Sequence, residues 1–172
     1  MNSSEPTSTK PIVAVSVKPT EEQDPDGRKP VTFDPCVSIG DSVVQQAGFD
    51  PKTRERKDDP HTGYAFVGCT FSRRKDAFGV STPINDLTIS STDITLDQFR
   101  QRQNGNLQEI TINGIKSITY QGYDATSCYV VMPGPDGSID LSISSFAGMT
   151  DWMACDHRIE IASTIQTALP KK

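Results

Sequence analysis

A chain of 172 residues, 34% hydrophobic and with a formal net charge of -5, has room for one domain and a tail and is more polar than a typical compact globule. Its acidic balance argues against a phosphate-binding surface of clustered Lys and Arg, so nucleic acid is not the expected partner. No stretch reaches the roughly 20 apolar residues of a membrane span and no signal peptide is read at the start, so a soluble protein is expected, meeting a membrane only through a lipid anchor outside this sequence.

Residues 1–30 carry Ser, Thr, Pro, Glu and Lys around one apolar island, IVAVSV, and bury too little to offset the entropy of ordering. They read as a flexible tether, although the island could add a strand, and residues 31–170 read as a single domain. In FDPC, Asp34 suits an N-cap and Pro35 a first helical position, which predicts a short helix through SIGDSVVQQAG that stops at Gly48. The next stretch, FDPKTRERKDDPHTG, reads as an exposed loop. From Tyr64 the apolar period becomes two, which puts Ala65, Val67, Cys69 and Phe71 on one face of a strand. SRRKDAFG reads as a turn into further extended chain, and DLTISST as a strand. TLDQFRQRQNG predicts a short helix with Thr95 and Gln98 in capping-box positions, Gly105 as its stop, and Leu96 and Phe99 facing inward.

QEITINGIKSITY carries the strongest local pattern, because Asn113-Gly114 between two β-prone runs favours a type I′ hairpin turn. That turn sends Ile110, Ile112 and Ile115 to one face but Ile118 and Tyr120 to the other, so either a bulge intervenes or both faces are covered. SCYVVM and SIDLSIS, joined by PGPDG, form a second hairpin, with Ile139, Leu141 and Ile143 inward and Asp140, Ser142 and Ser144 outward. Ala154, Cys155, Arg158, Ile159, Ile161, Ala162, Ile165 and Leu169 mark a mostly apolar helical stripe ended by Pro170. The order predicts an α+β fold, an antiparallel β-sheet packed by helices.

Cys36, Cys69, Cys128 and Cys155 form an even set that fits two disulfides in an exported protein; four buried thiols in a cytosolic one is the other reading. Zinc is a rival for these cysteines, but structural zinc sites draw on close cysteine pairs and none exists here. Cys155 and His157, two apart on a helix, point to nearly opposite sides. No metal or other cofactor is therefore expected. His61 beside Asp58 and Asp59, with Ser72 or Ser144, could suggest a hydrolase, but no Gly-x-Ser-x-Gly elbow exposes a serine. Gly134 and Gly137 belong to a hairpin turn rather than to a phosphate loop. The clusters KTRERK and SRRK read as solvated loops, with anionic lipid or glycan contact as the alternative, which makes Arg73, Arg74 and Lys75 candidate binding residues. Trp152, just before the last helix, is expected to be partly exposed and completes that candidate surface.

DPC before a short helix, GCTF in the first long strand, ITINGIKSITY, SCYVVM and ACDHRIEIASTIQTALP span residues 34–170. Together they resemble an actinobacterial family of secreted and lipid-anchored proteins, mycobacterial envelope lipoproteins among them, known only as a domain of unknown function (family number 3558). Phe71 stands where such proteins often carry Trp. The resemblance implies an envelope location and two disulfides, and no activity. Of the three connectivities open to these cysteines, Cys36 with Cys69 and Cys128 with Cys155 is the pairing expected. It would pin the opening helix to the first long strand and the last helix to a central one.

The expectation is a non-enzymatic cell-envelope protein, lipid-anchored or secreted, that binds a protein partner or an envelope lipid or glycan. An envelope hydrolase and an immunity-like or structural partner of a secreted protein are the alternatives. A hydrolase predicts a buried, pKa-perturbed His or carboxylate in a cleft, and a binding module an exposed apolar patch or a groove.

Overall fold

The computed structural model describes residues 10–146 and 148–171. Asp34 caps α1 (Pro35–Ser38) by accepting from the Cys36 amide, and Pro35 occupies its first turn. Extended backbone at Ile39 and Gly40 interrupts the chain before α2 (Asp41–Gln46), so the single helix expected there is two. The N-terminal segment packs against this break, with the Pro11 side chain and the Ile12 backbone close to Gly40.

FDPKTRERKDDPHTG is not a loop. It forms β1 (Asp50–Arg56) and the short β2 (Asp59–His61), both paired antiparallel with β3 (Tyr64–Ala77). Hydropathy misses β1 because its inward side chains are charged: Arg54 is buried, and the Arg56 side chain nearly so. Arg54 donates to the Cys36 carbonyl and to Asp41, each at 2.8 Å, and lies 4.8 Å from the centre of the Phe71 ring. Arg56 grips Asp34 through both Nη atoms, at 2.6 and 2.8 Å, and this hydrogen bonding raises its pKa further. KTRERK is thus a clamp on the two opening helices rather than a solvated run.

SRRKDA is also strand, and the turn expected in this run is confined to Phe78-Gly79. β3 continues to Ala77, turns through Phe78-Gly79 and returns as β4 (Val80–Thr92), with one register shift beside Arg73. Thr95 and Gln98 form the expected capping box on α3 (Leu96–Gln103). β5 (Gln108–Ile112) and β6 (Ile115–Gln121) meet at Asn113-Gly114, both with positive φ as a type I′ turn requires. β7 (Ser127–Pro133) and β8 (Ser138–Ser145) form the second hairpin, and α4 (Arg158–Gln166) closes the chain. The order β1-β3-β4-β8-β7-β6-β5 makes an eight-stranded antiparallel sheet, counting β2 on β3.

The helices α1, α2 and α4 cover one face, over Phe71, Leu87, Ile89, Val130, Leu141 and Ile143. The other face carries α3, whose Phe99 packs with Ile94 on Ile118 and Val131. Both faces are therefore covered at the β5–β6 end, which settles the tension in that hairpin: Ile112 joins the larger cluster and Ile118 the smaller, in unbroken register. Asp140, expected to point outward, does lie on the α3 face, but its Oδ1 is sealed from water without a hydrogen-bond partner. Burial lifts its pKa to about 7.

Both disulfides have the expected pairing, Cys36–Cys69 and Cys128–Cys155, with Cα atoms 4.9 and 5.2 Å apart. The first ties α1 to β3, the second β7 to the turn before α4. Ala154 and Cys155 precede α4 rather than form its first turn, and Ile159 is partly exposed. Residues 10–30 carry no helix or named strand, yet lie extended along the body. The Asp41 amide donates to Ile12, the Ala14 amide to the Asp41 carboxylate and Arg56 Nε to Lys18, and Gln23 exchanges hydrogen bonds with Val31.

Candidate functional site

The bonded sheet ends sooner than β3 and β4 do. β1 reaches no further than Ser72 of β3 and β8 ends opposite Asn85 of β4, so residues 74–83 project as a two-stranded ribbon. Phe78 at its tip and Val80 are exposed, as are Arg74 and Lys75. The loop from β8 to α4 leaves from the base of this ribbon, where the Phe146 amide donates to the Ile84 carbonyl and Thr150 Oγ1 bonds to Asn85. It exposes Phe146, Met149 and Met153. Alternation along a strand says nothing about a neighbour's end point, so the ribbon escaped sequence reasoning.

Arg73 and Trp152 meet where ribbon and loop join. The Arg73 guanidinium lies 5.2 Å from the Trp152 ring centre and donates to Asp151 at 2.8 Å and to Asn85 at 2.9 Å. The hydrogen bond from Arg73 holds the Asp151 carboxyl below its ordinary range. Trp152 also meets Phe49 and His157 edge to face, with centroids 6.5 and 5.0 Å apart. A cavity of about 210 Å³ opens here, bounded also by Gln46, Glu160 and Thr164. Of the expected binding residues, Arg73 and Trp152 are thus brought together, while Arg74 and Lys75 lie further out on the ribbon.

The residues considered for hydrolysis do not converge. His61 stacks on Tyr64 and pairs with Asp59 at 3.0 Å on the surface. Ser72 is hydrogen-bonded to Asp86 on the α3 face. Asp140, the buried carboxyl with a raised pKa, borders neither the Trp152 cavity nor the two described next. Among the described residues no group of three or more His, Cys, Asp or Glu is arranged to hold a metal ion, and Cys155 is bonded to Cys128.

Sequence reasoning missed two further concavities. An apolar groove of about 600 Å³ runs between Ile115, Pro133, Pro135, Leu169 and Pro170. A polar cavity of about 410 Å³ lies beside the second disulfide, between the α3–β5 loop, the end of β6 and Arg158. Each is assembled from segments far apart in the chain.

Residues 2–167 match the model of a family described as a protein of unknown function (DUF3558). The chain belongs to this family. No curated protein matches it, and no solved structure does. The DUF3558 match takes in the extended N-terminal segment as well as the sheet and both disulfides. For this DUF3558 chain the two disulfides are consistent with an extracytoplasmic location.

Proposed function

We propose that this protein is an actinobacterial cell-envelope protein, lipid-anchored or secreted, that acts as a non-enzymatic binding module for a protein partner. The observation that carries the reading is the run of exposed apolar side chains along the ribbon and the loop that leaves its base, Phe78 and Val80 on the one and Phe146, Met149 and Met153 on the other. Apolar surface gathered in this way and edged by charge is what protein interfaces present, with buried aromatic and Arg anchors at their centre. Trp152 and Arg73 supply that anchor, and the disulfide at Cys155 holds the loop that bears Trp152 against the sheet.

The test is photo-crosslinking in the envelope of an actinobacterial host, with a photoreactive phenylalanine at position 78 or at position 149 and a control at the exposed Thr111 on β5, the far edge strand of the sheet. One protein captured from both test positions and not from the control supports the reading. Capture of lipid alone, or of nothing, overturns it. A hydrolytic activity abolished by replacing His61 or His157 would establish the enzyme reading instead.

A further inference from the structure

Arg158 opens α4 beside the second disulfide and lines the polar cavity of about 410 Å³. Its Nη1 donates to the Cys155 carbonyl at 2.7 Å, while its Nε is sealed from bulk water with no partner. Among the described residues it forms no ion pair with a carboxylate. Nη2 makes no hydrogen bond to another described residue and is not sealed as Nε is, so it is the guanidinium nitrogen left to meet an acceptor in the cavity through a charge-assisted hydrogen bond.

Asn106, Gln108 and Gln121 border the same cavity, and no acid does. An adjoining hollow of about 450 Å³ shares Asn106, Tyr120 and Gln121 and adds Gln103 and the fully exposed Tyr123. None of these four side-chain amides makes a hydrogen bond to another described residue. Each amide offers a donor and an acceptor side by side, which suits vicinal hydroxyls, and an exposed tyrosine ring offers a stacking face. The volume falls in the range of roughly 300–1,000 Å³ typical of small-ligand sites.

We propose that this groove binds a carboxylated sugar unit of a glycan, with its carboxylate on Arg158 and its hydroxyls on the amides of Asn106, Gln108 and Gln121. The site lies on the other flank of α4's start from the Trp152 cavity and does not depend on the protein-partner reading.

The test follows backbone, side-chain amide and Arg Nε signals of the oxidised, folded protein by NMR during titration with glucuronate, glucose or acetate. Glucuronate should give saturable shifts at Gln108, Gln121 and Arg158. Arg158→Gln should weaken its binding about 10-fold or more, as expected for loss of a charged hydrogen-bonded partner. Should Arg158→Gln disturb the fold, Gln121→Ala, which alters an exposed side chain, should still weaken glucuronate about threefold or more while leaving acetate unchanged. Absence of saturable shifts, or glucuronate binding indifferent to both substitutions, overturns the site. Equal affinity for acetate and glucuronate overturns the sugar.

Discussion

Arg54 shows what a single buried charge does in this molecule. Its side chain is fully enclosed and its hydrogen bonds end on the Cys36 carbonyl and Asp41. Arg54→Ala would strand both acceptors and open a void beside Phe71, so urea unfolding should show a loss of about 3 kcal/mol. Arg54→Met should recover part of it by refilling the space. Asp140 acts in the opposite sense. Its folded pKa of about 7 lies above the ordinary carboxyl value, so between about pH 4 and pH 7 the folded protein binds more protons than the unfolded one. This group therefore withdraws stability as pH rises through that window. Relative to wild type, Asp140→Asn should gain stability from pH 4 to pH 8, which urea midpoints across the range would measure; a constant difference would refute the assignment. Neither effect is legible in the sequence. The sequence reading sends both to water, Arg54 as part of an exposed loop and Asp140 by strand alternation, because charge is visible in the chain and what will cover a strand is not.

At the scale of elements, local chemistry predicted well where it was self-contained. The capping box of α3, the Asn-Gly turn of β5–β6 and the Asp34-Pro35 start of α1 each involve residues within three or four positions, and all three form as read. The opening helix was misjudged in its middle, where contact with the N-terminal segment accompanies the break at Gly40. α3 is held to the far face of the sheet chiefly by Phe99 on Ile118 and Val131. Phe99→Ala should cost about 3–5 kcal/mol and raise hydrogen exchange across residues 96–103 well before the α4 face of the sheet responds. Uniform acceleration over the whole chain would mean that α3 is not a separable unit. The ribbon of residues 74–83 belongs at this scale too: its exposure comes from β1 and β8 stopping short, which is a property of its neighbours.

For the whole molecule, the two disulfides bind the helical layer to the sheet at well-separated points, α1 to β3 and the start of α4 to β7. Closing loops with sequence separations of 33 and 27 stabilises by roughly 3–4 kcal/mol each on the loop-entropy model. Replacing Cys128 and Cys155 together by Ser should therefore lower Tm by roughly 10 °C. It should also loosen the loop that carries Trp152 and the carbonyl that holds Arg158, so that crosslinking at position 149 and glucuronate binding weaken together. The sequence by itself determined the α+β class, the hairpins, the inward faces of the apolar strands and, through its family resemblance, the cysteine pairing. Those follow from periodicity and turn chemistry, which act between near neighbours, and from motifs that survive as short strings. Only the tertiary structure decided that KTRERK is a strand with buried arginines, that Arg73 stacks on Trp152, and that Arg158 shares a cavity with amides from the α3–β5 loop, β5 and β6. These depend on which distant segments share a face of the sheet and on where each strand ends, and charge placement in the chain carries no record of either.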